Sequence, residues 1–153
     1  MSSAACDAWN FTISRSPTKW NVRTRTPAAA ATATTTVPTG FCADPPLGPA
    51  GLTEADLRQS GRRALVGKRP MTRVKRAVEK GESQGFMKVI VDAETREILG
   101  AAILGPGGDE AIHSILDVMY ARAPYTTIQR AVHIHPTVSE LIPTMLGSLE
   151  PLK

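Results

Sequence analysis

Two short apolar runs rich in β-branched residues, 86–92 (FMKVIVD) and 98–104 (ILGAAIL), flank a polar stretch, 93–97 (AETRE). That order predicts an antiparallel hairpin at the centre of a sheet. Downstream, Ala111, Ile112, Ile115, Leu116, Val118 and Met119 recur at helical spacing and share one arc. Residues 107–121 therefore predict a helix that lays this arc on the sheet. Pro124 separates it from a short helix over 126–131, and a last helix is expected over 138–146, where Pro143 is tolerated only in the first turn or two and otherwise kinks it. Upstream, residues 44–49 are proline-rich and extended. Thr53-Glu54-Ala55-Asp56 reads as a helix N-cap followed by acids in the first turn, opening a short helix that stops near Gly61. Residues 64–66 predict a strand. Residues 71–80 form either a helix or an irregular basic crossing, ended in both cases by Gly81. The pattern is that of an α+β fold, an antiparallel sheet with helices packed mainly on one face.

Residues 1–40 do not carry this pattern. The tract 27–38 (PAAAATATTTVP) is low in complexity and too poor in large apolar side chains to bury an interior, so disorder is expected there and a single domain over 41–153. At 153 residues, with 42% hydrophobic and 5% aromatic content, the chain supports one ordinary aliphatic core. Its net charge of +4 is local in origin, because nine basic residues against one acid fall between positions 58 and 80. Such a strip can meet phosphates, an acidic partner or water. The helical spacing of Arg73, Arg76 and Lys80, with Glu79 placed to pair with Lys75 or Arg76, favours a solvated face. The lack of interleaved aromatics or a reader motif disfavours nucleic acid.

Cys6 and Cys42 are too far apart in sequence for a short redox motif, and two cysteines make no disulfide scaffold. No apolar run reaches membrane-spanning length, and the first residues lack a basic stretch followed by a hydrophobic one. These features predict a soluble chain in a reducing, cytoplasmic compartment. The Ser, Thr and Arg content of residues 1–40, with Asp7 as their only acid, leaves an organelle transit sequence as an alternative.

Candidate chemistry gathers at His135-Pro136-Thr137-Val138-Ser139-Glu140. Proline disfavours helical geometry in the residue before it, so His135 is expected to be extended while the chain turns into a helix from Thr137. The imidazole then stands at a corner, with the Glu140 carboxylate one turn on and able to hold one ring nitrogen and fix the tautomer. Thr137 to Glu140 is equally an S/T-x-x-E capping box, in which Glu140 returns to the Thr137 amide. The two readings differ in where the Glu140 carboxylate points. His133 shares a side with His135 if the segment is extended, but two ligands do not make a metal site, and His133 reads as a packing or interface residue. His113 falls beside Asp117 at i+4, where a surface pair is expected. Gly105-Pro106-Gly107-Gly108 lacks the third glycine of a dinucleotide fingerprint, and Asp109 and Glu110 put negative charge where a phosphate would sit, so it reads as a turn.

Asp44-Pro45-Pro46-Leu47-Gly48, Gly51-Leu52-Thr53-Glu54, Gly85-Phe86-Met87-Lys88, Ile98-Leu99-Gly100 and the 135–140 run occur in this order. Together they resemble the C-terminal dimerisation domain of the FAD-dependent pyridine nucleotide-disulfide oxidoreductases, the family of glutathione reductase, dihydrolipoamide dehydrogenase and mercuric reductase. The stretch 133–144 is most similar to the mercuric-reductase-like members, and the resemblance spans about 41–152. It implies that His135 reaches the partner subunit's active site and shuttles a proton to and from a thiol beside the flavin, with His135-Pro136 approaching that flavin and Glu140 orienting the ring. It also implies an interface domain that self-associates as a homodimer or joins a full-length flavoprotein. FAD and NAD(P)H belong to the parent family, whose C-x4-C pair and GxGxxG motif this chain lacks, so no cofactor and no reductase activity are expected of the chain alone. A stand-alone scaffold module and a small basic nucleic-acid-binding protein are the alternatives. Ala50 stands where the family commonly has valine, and Pro49 restricts pairing, which places the edge of the fold in question. The abrupt onset of the resemblance near Phe41 implies a displaced start or shifted reading frame over 1–40, joined to the remnant of a longer gene, or else a linker or targeting segment.

Overall fold

The computed structural model describes residues 11–16, 19–24 and 44–153, which fall into two units. In the first, β1 (Phe11–Ser16) and β2 (Lys19–Thr24) form an antiparallel ribbon with Phe11 opposite Thr24 and Ile13 opposite Val22. In these twelve positions apolar and polar residue types alternate with the period of a strand. The tract 27–38, Cys6 and Cys42 lie outside the described residues.

The second unit is a five-stranded antiparallel sheet in the order β3-β6-β5-β4-β7. Its centre is the expected hairpin of β5 (Phe86–Asp92) and β6 (Ile98–Leu104), with Phe86 opposite Leu104 and a register shift at Ile90/Val91. On the far side of β6 lies β3 (Leu47–Gly51), with Pro49 opposite Ala102. β3 is an edge, so the N–H that Pro49 lacks is not needed for a second neighbour, and Ala50 is buried. β4 (Ala64–Pro70) runs further than the three residues expected and carries the short β7 (Glu150–Pro151) on its outer side.

Strand alternation divides the core between the two faces. Met87, Val89 and Val91 of β5 join the larger cluster, together with Ala111, Ile112, Ile115, Leu116 and Met119 of the predicted arc and Ile142, Met145 and Leu146 near the C-terminus. Ile90 points the other way, into a small cluster with Leu57, Ala64 and Leu99. Leu57 belongs to α1 (Glu54–Ser60), whose N-terminus is closed by a reciprocal Thr53/Asp56 capping box and whose C-cap, Gly61, has φ 67°. Helices therefore lie mainly, but not only, on one face.

The helix expected over 107–121 is two pieces, α3 (Gly108–Ala111) and α4 (His113–Tyr120), divided at Ile112. The backbone is crowded here, because a Cβ on Gly108 would collide with the Ile103 carbonyl. Residues 71–80 combine both expected forms: a 3-10 turn over Met71–Arg73 is followed by α2 (Lys75–Glu79), and Gly81 ends the segment at φ 70°. α5 (Thr126–Gln129) is shorter than expected. No described helix is long and apolar enough to cross a membrane.

One buried acid closes the hairpin. Asp92 Oδ1 accepts the amides of Glu94 (2.8 Å) and Thr95 (2.9 Å), and Oδ2 meets Arg62 Nη2 at 2.5 Å. Burial raises the carboxyl pKa, but the two amides and the Arg62 guanidinium outweigh it and hold the group below its ordinary value. A carboxyl more acidic folded than unfolded contributes stability above its unfolded pKa, about 3.9, and that contribution disappears as pH falls through the lower folded value. Asp92→Ala is therefore expected to cost about 1–3 kcal/mol at neutral pH, by leaving buried donors without an acceptor. Denaturant melts of the variant should also converge on those of the parent chain as pH falls below about 4.

Candidate functional site

Between α5 and the C-terminal helix the chain leaves regular structure. Residues 135–138 bend, Ser139–Leu141 form a 3-10 turn, and only then does α6 (Ile142–Leu146) begin, with Pro143 inside its first turn. The helix expected from residue 138 is thus delayed, for a local reason. Thr137 Oγ1 donates to the Ile134 carbonyl at 2.7 Å and accepts no helix amide, so Thr137 is not the cap. The His135–Pro136 peptide is cis.

Glu140 meets both the His135 ring and the Thr137 amide with one oxygen. Its Oε2 lies 2.6 Å from His135 Nδ1 and accepts the Thr137 amide at 3.4 Å, the returning half of a capping box. The His135 side chain is 69% exposed, whereas that of Glu140 is 10% exposed. A nearly buried carboxylate therefore braces an imidazole that stands in solvent. With Nδ1 engaged, Nε2 is the ring nitrogen left to exchange a proton with another molecule. The same carboxylate supplies the counter-charge when the ring is protonated.

His133 turns its Nδ1 to the Ser139 carbonyl at 2.7 Å, stapling the loop across six residues. It is thus a loop-bracing residue. Among the described residues no group of three or more His, Cys, Asp or Glu is placed to hold a metal ion. The expected pair of His113 and Asp117 is not among the ion pairs of the described residues, whereas Arg76 does pair with Glu79 at 3.4 Å.

Arg76 also has a contact that sequence spacing does not announce. Its Nε and Nη2 donate to the Pro136 carbonyl at 3.2 and 2.8 Å, sixty residues away. Elsewhere in the basic strip, Arg58 pairs with Glu54, Arg62 with Asp92, and Arg69 donates to Ser148. Much of the strip is thus tied to the domain's own surface. Beside the histidines, Val132 and Ile134 are 97% and 79% exposed, and Val78 on α2 is also exposed. Apolar side chains this open on an otherwise packed domain mark a surface suited to a partner.

The glycine turn does not suit a nucleotide cofactor. Gly108 N donates to Gly105 O at 2.9 Å and Ala111 N to Gly107 O at 2.8 Å, so amides that would meet a phosphate are used within the turn, and Asp109 and Glu110 occupy the first turn of α3. This turn therefore does not fit the phosphates of FAD or NAD(P)H.

Residues 37–146 match the family model described as pyridine nucleotide-disulphide oxidoreductase, dimerisation domain. The chain is 42% identical over 98 residues to dihydrolipoyl dehydrogenase 3 of Pseudomonas putida, covering 64% of this chain and 21% of that protein. It is 33% identical over 106 residues to dihydrolipoyl dehydrogenase of Haloferax volcanii, covering 69% of this chain and 22% of the relative. The fold superposes with a TM-score of 0.71 on the HOCl-induced flavoprotein disulfide reductase RclA from Escherichia coli, at 32% identity over 73% of this chain and 26% of that one. The chain thus spans about a fifth of the length of the curated relatives it matches.

Proposed function

The chain belongs to the pyridine nucleotide-disulphide oxidoreductases, of which it carries the dimerisation domain, and on that premise we propose that it joins two subunits and lends His135 to the partner as a proton relay. The observation that carries this reading is the dyad itself: His135 Nδ1 at 2.6 Å from a nearly buried Glu140 carboxylate, with the rest of the ring in solvent. A histidine meant for its own domain would be enclosed by it. This one is braced from behind and open in front.

The chemistry that needs such a group is thiol–disulfide exchange. The thiolate and not the thiol attacks, so a nearby base that takes the thiol proton through Nε2, and returns it when the disulfide re-forms, sets the rate. Glu140 fixes the tautomer that leaves Nε2 free to accept. FAD, NAD(P)H and the redox cysteines would come from the other domains of the parent enzyme, acting on a disulfide or a metal ion in a cytoplasmic setting. A folded chimaera tests this: residues 41–153 replace the C-terminal domain of a dihydrolipoyl dehydrogenase. Dimeric, flavin-loaded protein with NAD(P)H-dependent disulfide turnover supports the relay, and flavin-loaded dimer without turnover rejects it.

The same loop serves the joining role, because Val132 and Ile134 alternate with the two histidines and face solvent in the single chain. A second copy, or a full-length flavoprotein subunit carrying the same domain, would cover them by a two-fold contact. Ile134→Asp is expected to weaken self-association at least tenfold in sedimentation, roughly the effect of losing one interface hot spot, with the melting temperature of the monomer unchanged. An unaltered dimer constant would remove this loop from the interface.

A further inference from the structure

Residues 132–137 make no backbone-to-backbone hydrogen bond among the described residues, so side chains must hold the loop that carries His135. Three of the contacts are internal: His133 Nδ1 to Ser139 O, Thr137 Oγ1 to Ile134 O, and the Thr137 amide to Glu140. They give the loop its shape and tie it only to the 3-10 turn that follows it in sequence. Val138 and Leu141, at its far end, pack against the core. The hydrogen bonds that reach this loop from a distant element are those of Arg76 on α2, with Nε and Nη2 converging on the Pro136 carbonyl at 3.2 and 2.8 Å. Nη1 is held at 3.4 Å by Glu79. A planar guanidinium with two N–H groups on one acceptor and a third nitrogen on a carboxylate has little freedom to swing.

We propose that Arg76 is a positioning residue for His135: it anchors the Pro136 carbonyl, the next acceptor along the chain, and so aims the imidazole and keeps Nδ1 in reach of Glu140. This rests on the relay reading of His135 and adds a residue that the local His-to-Glu spacing does not contain. Its consequence is that α2 and the relay loop move as one body. Lysine at this position would keep the charge on a single donor nitrogen but not the planar fork.

The test uses the whole chain and the imidazole 15N shifts of His135, which report the tautomer. In the parent chain the Nε–H of Arg76 should exchange with solvent several-fold more slowly than that of Arg73, which is exposed on the preceding turn. Equal exchange would overturn the proposal whether or not any variant folds. Arg76→Met should lower the ratio of Nδ1–H to Nε2–H tautomer several-fold, with Arg76→Lys recovering part of it, an effect that loss of stability alone does not produce. Glu140→Gln serves as the control that disturbs the dyad directly. If Glu140→Gln alters the tautomer and Arg76→Met does not, Arg76 is no positioning residue and the dyad stands. If neither alters it, the dyad reading falls and takes the proposal with it.

Discussion

In the chimaera with flavin and nucleotide domains, His135→Gln is expected to lower disulfide turnover by about 10²–10⁴-fold, the range for removing a positioned general acid–base group. The stability of the folded subunit should stay as it was, because the ring is 69% exposed in the single chain and an exposed substitution rarely shifts stability by more than about 0.5 kcal/mol, and flavin content and dimer fraction are measured alongside turnover. Glutamine can still hydrogen-bond but cannot carry a proton between pH values, so the limb of the pH–rate profile that belongs to the histidine should vanish. Glu140→Gln keeps a hydrogen-bonding side chain without the counter-charge and should fall between the parent and His135→Gln. Turnover within threefold of the parent, roughly 0.7 kcal/mol by the rate relation, would show that His135 has no part in the chemistry.

Ile142→Ala carries the second large expectation, and it concerns stability. Ile142 opens α6, is fully buried in the larger core cluster, and follows Glu140 by two residues. Truncating it removes three methyl or methylene groups and leaves a cavity, for a loss of about 2–5 kcal/mol, a large share of the 5–15 kcal/mol that holds a typical domain together. The urea midpoint should fall without a change in slope. Thr144→Ala, on the exposed side of the same helix, should lie within about 0.5 kcal/mol of the parent. A loss below about 1 kcal/mol for Ile142→Ala would mean that the site collapses around the gap.

Both expectations depend on features with very different visibility in the sequence. The hairpin 86–104, the arc from Ala111 to Met119, and the Thr53 and Gly61 ends of α1 all follow from short-range rules, and the structure contains each of them. The pairing of His135 with Glu140 was visible as a spacing, but not its sharing with the Thr137 amide, because both partners compete for one oxygen at distances that depend on how the chain bends after Pro136. The break at Ile112 and the late start of α6 were missed for a similar reason. Apolar periodicity runs through both places, and it records which residues face the core rather than where backbone hydrogen bonding lapses. Arg76 reads as part of a solvated face and the local pattern does not single out Asp92, until the fold brings Pro136 to one and Arg62 to the other.

The amino-acid sequence alone determined the α+β class, the central strands, the helix stops and the spacing that pairs His135 with Glu140, since each is written within a turn or a pleat of neighbouring residues. Only the tertiary structure decided that Glu140 is nearly buried while His135 is open, that the core divides between two faces, and that a guanidinium sixty residues upstream donates to the Pro136 carbonyl. Exposure and long-range hydrogen bonding depend on what the rest of the chain packs around a residue, and no local period encodes that.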